Sequence, residues 1–273
     1  MNNDVTAIEP LALPIDVSVT LPGSKSHANR AIIAAVLSAG ETVIQNATPC
    51  DDVRLLVINL QKMGYDAHWE NEASGMLRIR GGIPAGGKTE TLDCGNAGTT
   101  LRFLTSLACI TPGTWTLTGD EHMRKRPIGP LVHALKTLGA DIQDTSDCPP
   151  ISIKGYSLLG GAVEIDASTS SQFLTSLLLI GPALKQGITL KLKGILTSPT
   201  YIELTEKVLR DFGVSIKKEG TMYTIPENTS YKAQSSYNIE GDWSAAGSFL
   251  VLAEITKSHI RFPNLTADSL QGD

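Results

Sequence analysis

The chain is 273 residues long, enough for one large or two ordinary domains with a substantial buried core. It is 41% hydrophobic and 19% charged with a mean hydropathy of +0.01, an ordinary globular composition. The net charge, 23 − 28 = −5, excludes nucleic acid or an anionic membrane as main partner, since both demand a basic field, so any anion is held by a few placed groups.

The N-terminus, MNNDVTAIEP, has neither a basic nor an apolar stretch of the kind a secretory signal needs. IDVSVTL (15–21) alternates with period two and predicts a strand. GSKSHANR (23–30) then opens a helix whose apolar face is AIIAAVL. A second helix, DDVRLLVINLQKMG (51–64), closes on Gly64 and is followed by the strand-like YDAHWE. The same order recurs twice. GNAGTTLR (95–102) opens a helix, RPIGPLVHALKTLG (126–139) closes on Gly139, and ADIQDT follows. STSSQFLT (168–175) opens the next, YIELTEKVLRDFG (201–213) closes on Gly213, and VSIKKE follows. GDWSAAGSFLVLAEI (241–255) begins a fourth copy, followed by the strand-like HIRFPNL (259–265). The longest apolar stretch, FLTSLLLIGPAL (173–184), falls short of the roughly 20 residues of a membrane span. Cys50, Cys94, Cys109 and Cys148 have no metal-ligand spacing and fit a reduced, cytoplasmic setting.

These repeats predict an α/β fold of strand, helix, strand, helix, strands, with three copies complete and a fourth begun. Small and hydroxyl residues open the first helix of every copy. Any one opening is equally an ordinary N-cap. Several pseudo-equivalent helix starts aimed at one point would instead make an anion site, because the first turn exposes unpaired N–H groups and a partial positive charge. Lys25 and Arg30 flank the first opening, and Arg124, Lys125 and Arg126 precede the helix of 126–139, with Pro127 suited to its first position. Cations oppose the dipole there, and a bound polyanion would offset that cost.

LPGSKSHANRA, DCGNAGTTLRF, MRKRPIGPLVHAL, TSSQFLTSLLL and GDWSAAGSFL, in this order and spacing from about residue 15 onward, resemble the 5-enolpyruvylshikimate-3-phosphate synthase family. The resemblance implies the enolpyruvyl transferase fold, two domains each built from three βαβαββ units. It places residues 22–239 in one complete domain, and residues 1–21 and 240–273 in a second, partly present one. It implies transfer of the enolpyruvyl group of phosphoenolpyruvate to the 5-hydroxyl of shikimate 3-phosphate with release of phosphate, a shikimate-pathway step toward aromatic amino acids. It implies no cofactor and no metal, small-molecule substrates as the only partners, and a monomer at full length. Lys25 would contact phosphoenolpyruvate, and Ser26 and Arg30 the carboxylate of shikimate 3-phosphate. Asn96, Gly98 and Thr99 would line the phosphoenolpyruvate pocket, and Arg126 would clamp the same substrate. Ser170 and Ser171 would take the phosphate of shikimate 3-phosphate, Gln172 would bridge the two substrates, and Ser198 and Tyr201 would complete the phosphate site. The family more often reads Ser-x-Pro-Tyr where this chain has Pro199 and Thr200 before Tyr201. Gly98, rather than Ala, leans toward the glyphosate-sensitive type, while Phe103 stands where many sensitive members have Pro.

The family's principal acid and base residues come from the second domain, beyond this sequence, which implies that the 273 residues alone bind but do not turn over. Lys25 is the one candidate here for proton transfer; Asp51, Asp52, Asp242 and Asp273 read equally as caps and solvated turns. Two other readings stand beside this one. UDP-N-acetylglucosamine enolpyruvyl transferases share the architecture but use a loop cysteine that TGDEHMRKRPIG (118–129) lacks. The chain would otherwise be a non-catalytic ligand-binding fragment. His27 lies beside the site without an evident partner, and His68, His122 and His133 are scattered. Trp69, Trp115 and Trp243 read as packing residues.

Overall fold

The computed structural model describes residues 12–273, so the first eleven residues of the predicted 1–21 unit lie outside it. Of the predicted strand 15–21 only β1 (Asp16–Ser18) pairs. The first repeat then runs α1 (Lys25–Leu37), β2 (Gly40–Gln45), α2 (Asp51–Met63), β3 (Asp66–Asn71) and β4 (Met76–Gly81). The second is β5 (Lys88–Asp93), α3 (Gly98–Ile110), β6 (Gly113–Thr118), α4 (Gly129–Thr137), β7 (Asp141–Thr145) and β8 (Cys148–Gly155). The third is β9 (Gly161–Asp166), α5 (Ser171–Ile180), β10 (Ile188–Lys193), α6 (Thr200–Asp211), β11 (Lys217–Glu219) and β12 (Met222–Ile225). β13 (Ser236–Asn238), α7 (Trp243–Thr256) and β14 (His259–Arg261) follow.

Three four-stranded sheets share one plan, a parallel pair extended by two antiparallel strands: β5-β6-β8-β7, β9-β10-β12-β11 and β13-β2-β4-β3. The first repeat has no leading strand of its own. β13 takes that place, running parallel to β2 with Ser236 opposite Val43, so the end of the third repeat closes on the first. β1 instead pairs with β14, Asp16 opposite His259, in a separate two-stranded sheet.

The helices sort by their apolar pattern. α1, α3 and α5 are apolar nearly all round and pack on one another at the centre of the three repeats, where nine of the ten α5 residues are buried. α2, α4 and α6 are amphipathic and wedge between repeats, α2 reaching β5 and α4 reaching β9. The predicted glycine closures hold: Gly64 (φ 97°), Gly139 (φ 95°) and Gly213 (φ 81°) all sit in the left-handed region.

Three predicted boundaries change. The helix of 126–139 begins only at Gly129, so Pro127 is not its first residue. Proline disfavours helix at the residue before it, and Arg126 is extended (φ −83°, ψ 131°), while Ile128 donates its N–H to Asp147 O at 2.8 Å. Of VSIKKE only Lys217–Glu219 pairs, and of HIRFPNL only His259–Arg261, which matches the three-residue length of its partner β1. Among the described residues no helix is long and apolar enough to cross a membrane.

Candidate active site

Because α1, α3 and α5 occupy equivalent places in three like repeats, their N-termini emerge on the same side. They meet at a cavity of about 270 Å³. Lys25, Ser26 and Arg30 from α1, Thr99 from α3, and Ser171 and Gln172 from α5 line it, joined by Ser170, Thr169, Thr197, Ser198 and Tyr201. Of these three helices only α5 has a side-chain cap, the Ser170 hydroxyl accepting from Gln172 N–H at 3.3 Å; Ser24 and Ala97 make none for α1 and α3. The first-turn N–H groups of α1 and α3 therefore have no N-cap oxygen and present partial positive charge.

Four cations surround this rim. Arg30 is only 2% exposed and ties α1 to α6: Nε donates to Thr205 Oγ1 (2.9 Å), Nη1 to Ser26 O (2.7 Å), and Nη2 to Tyr201 O (3.2 Å) and, more weakly, Thr175 Oγ1 (3.5 Å). Four of its five N–H groups are thus spent inside the protein and one Nη1 hydrogen is left for a ligand. Burial pulls its pKa down to about 10, still charged at neutral pH. Arg102, one turn along α3 from Gly98, donates to Gln172 Oε1, whose Nε2 in turn donates to Thr99 Oγ1 at 3.1 Å. Burial first, and then Arg126, lower its pKa to about 10. Arg126 extends over the start of α3: a Cβ on Gly98 would lie 2.9 Å from Arg126 Nη1 and 3.2 Å from Arg102 Nη1. Lys25 is half-exposed and 3.5 Å from Asp52, one of two first-turn carboxylates of α2.

Residues 12–273 match the model of the EPSP synthase (3-phosphoshikimate 1-carboxyvinyltransferase) family. The chain belongs to the EPSP synthase family. A 3-phosphoshikimate 1-carboxyvinyltransferase of Aliivibrio salmonicida is 39% identical over 272 residues, covering 97% of this chain and 63% of the relative. One from Methanoregula boonei is 37% identical over 266 residues with the same coverage. An EPSP synthase structure from Acinetobacter baumannii superposes with a TM-score of 0.77 at 25% identity, over 93% of this chain and 56% of that one. The chain thus spans about 63% of the length of the curated relatives it matches.

Within this EPSP synthase fold, nine of the twelve predicted binding residues share the one cavity: Lys25, Ser26, Arg30, Thr99, Ser170, Ser171, Gln172, Ser198 and Tyr201. Gly98 and Arg126 meet at its α3 side. Asn96 is exposed and lines a neighbouring cavity of about 620 Å³ with Asp51, Asp52 and Asp120. Arg124 and Lys125 do not join the rim. They lie exposed in a 3-10 turn held by the Asp120 carboxylate, which accepts from Met123 N–H at 2.8 Å, and Lys125 pairs with Glu121 at 2.7 Å. A local carboxylate answers the Lys125 charge, so no ligand is needed to explain it. Asp242 caps α7, accepting from Ser244 N–H at 2.9 Å, and Asp273 accepts from the Ser244 hydroxyl, as the capping reading expects. Ser198 carries a positive φ of 52°, at the turn into α6. Arg102 was missed by the sequence reading. Its signal was present, since a residue four after Gly98 lies on the same helical face.

Proposed function

We propose that this chain supplies the shikimate 3-phosphate site and part of the phosphoenolpyruvate site for enolpyruvyl transfer. In that reaction the 5-hydroxyl loses its proton as its oxygen bonds to C2 of phosphoenolpyruvate, whose methylene takes up a proton and becomes a methyl group. The tetrahedral adduct then loses phosphate and one methyl proton, which restores the double bond. The observation that carries the reading is the meeting of three helix N-termini and a cluster of hydroxyls in one cavity. Ser170, Ser171, Ser198 and Tyr201 offer hydroxyl donors for a phosphate, while Ser26 and the remaining Arg30 N–H serve the ring carboxylate. Lys25, Arg126 and Arg102 supply the cationic side for the second anion, with Gln172 between the two. Fixed donors of this kind hold two mutually repelling anions side by side with little reorganisation. The bare Gly98 hydrogen leaves Arg126 room to close on that second anion or on glyphosate in its place.

The cavity lining includes no Asp, Glu or His among the described residues, which favours binding without turnover by these 273 residues alone. Lys25 is the only lysine in the lining and the group placed to hold or move a proton. Calorimetry on this chain tests the reading. Shikimate 3-phosphate is expected to bind, Ser171→Ala to weaken it about tenfold, the loss of one charge-assisted hydrogen bond, and a UDP-sugar to give no heat. Phosphate release from both substrates is expected to stay at background. Absence of shikimate 3-phosphate binding would defeat the assignment.

A further inference from the structure

His27, one residue beyond Ser26, has a partner that its sequence neighbourhood does not reveal. Its Nε2 lies 2.9 Å from Tyr237 Oη, and the two rings meet edge to face at 5.5 Å. The Tyr237 hydroxyl donates to Asp211 Oδ2 at 2.8 Å, and Lys207 Nζ donates to the same oxygen at 2.6 Å. A phenol has one proton to give. Since Tyr237 gives it to Asp211, the imidazole must be the donor in the other bond. This fixes the tautomer with hydrogen on Nε2 and leaves Nδ1 as a buried lone pair with no partner among the described residues. A neutral ring suits the surroundings. Burial is the chief influence, Lys207 and Arg30 add to it, and Glu240 and Asp211 act the other way, with a net lowering to about 4.

The chain of contacts joins parts that are far apart in sequence. His27 is in the first turn of α1, Tyr237 is on β13, and Asp211 and Lys207 end α6. Immediately outside these elements the two segments that leave the three-repeat body run together. Ser24 N–H donates to Glu240 O at 2.8 Å, Asp242 N–H donates to Pro22 O at 2.9 Å, and Gly23 bridges Gly241. The first turn of α1 has no side-chain cap and no acidic residue to steady it, although it carries Lys25 and Ser26. Arg30 fixes the helix one turn later, from the α6 side.

Resting on the substrate-site reading above, we infer that His27 is a positioning residue: through Tyr237 and Asp211 it latches the first turn of α1 to β13 and α6 and so sets where Lys25 and Ser26 face the cavity. It touches no substrate and transfers no proton. The Nε2–H donor has to be present for the latch to hold.

The latch is tested on this chain, with and without ligand. Long-range ¹H–¹⁵N correlation of the His27 ring is expected to show the Nε2–H tautomer from neutral pH down to pH 5. A neutral ring that carries its hydrogen on Nδ1 overturns the proposal. In Tyr237→Phe the Lys25 and Ser26 amide signals are expected to shift without ligand; if they stay in place, the proposal fails whatever the ligand does. For shikimate 3-phosphate, His27→Leu and Tyr237→Phe are each expected to weaken binding about five- to tenfold, the scale of one hydrogen bond. The double variant is expected to be no weaker than His27→Leu, and His27→Gln, which returns an N–H near the Nε2 position, to recover most of the affinity. Unchanged affinity in variants that only melt earlier would reduce His27 to a packing residue. Should the parent chain bind no shikimate 3-phosphate, the substrate reading falls, and the tautomer and amide shifts still decide the latch.

Discussion

Helices α5 and α7 are alike in sequence and opposite in environment. Both are strongly apolar, and both open on a side chain that accepts from the N–H two residues on, Ser170 in one and Asp242 in the other. Nine of ten residues in α5 are buried, whereas Ala246 is the one buried residue of the fourteen in α7. The difference lies in the neighbours. α5 is enclosed by α1, α3, α4 and α6, while α7 rests chiefly on the short strand β14. In a fold of repeated units the burial of a helix belongs to the assembled set, because one unit cannot cover its own apolar surface. The stability of the three-repeat body should therefore be largely its own, and α7 should contribute little to it in this chain.

The largest expected effect tests that contrast directly. Leu177 is fully buried in α5, and Leu177→Ala should cost about 2–5 kcal/mol, the usual range for a core leucine truncation. Leu252, exposed on α7, should cost less than about 0.5 kcal/mol as Ala, the usual span for a surface substitution. Urea denaturation of the two variants measures both. Comparable losses would mean that α7 is enclosed in solution and that the contrast between the two helices is false.

The next effect belongs to the junction between the two regions, where His27 meets β13. Its folded pKa is lowered from 6.5 to about 4, chiefly by burial. Above pH 6.5 the ring is neutral in both states and adds no pH dependence. As the pH falls from 6.5 toward 4 the unfolded chain takes up a proton that the folded chain refuses, so stability falls. The full loss, reached below the folded value, is about 3 kcal/mol. His27→Leu abolishes this portion of the slope. The stability of the parent relative to the variant, highest at pH 7.5, should fall at pH 5.5 and again at pH 4.5. A gap that stays constant would place a charged or solvated imidazole at the junction.

Much of this arrangement could be read from residues in order. The helical periods, the glycine closures at 64, 139 and 213 and the three hydroxyl-rich openings mark the repeats, because each is a local rule of backbone and capping chemistry. What escaped depends on closure in three dimensions. β13 is the three residues Ser-Tyr-Asn, with no pattern of their own; it is a strand because β2 needs a parallel neighbour. Tyr237 lies 210 positions from His27, and nothing near either residue announces the pair. Arg30 was expected to be a ligand for a carboxylate. Its position at the cavity was legible, but the claims of Thr205, Thr175 and Tyr201 on its guanidinium arise from how α5 and α6 pack against α1. Pro127 misled for a local reason, since a proline that could start a helix also held the residue before it extended.

The smallest expected effect concerns the outer face of α7, where Val251 is 60% and Ile255 is 75% exposed. Val251→Lys and Ile255→Glu bury no charge and break no hydrogen bond, so folding stability should stay within about 0.5 kcal/mol of the parent. Solubility should respond where stability does not, because clustered apolar side chains in water favour association. Sedimentation velocity and binding of an apolar dye are expected to show less self-association and less dye uptake in the double variant. The two measurements together are more informative than either alone. Improved dispersion at constant stability would mean that α7 is a solvent-facing apolar surface attached to a self-sufficient body. A large loss of stability would mean that α7 is covered, by a second copy of this chain, under the conditions in which the protein folds.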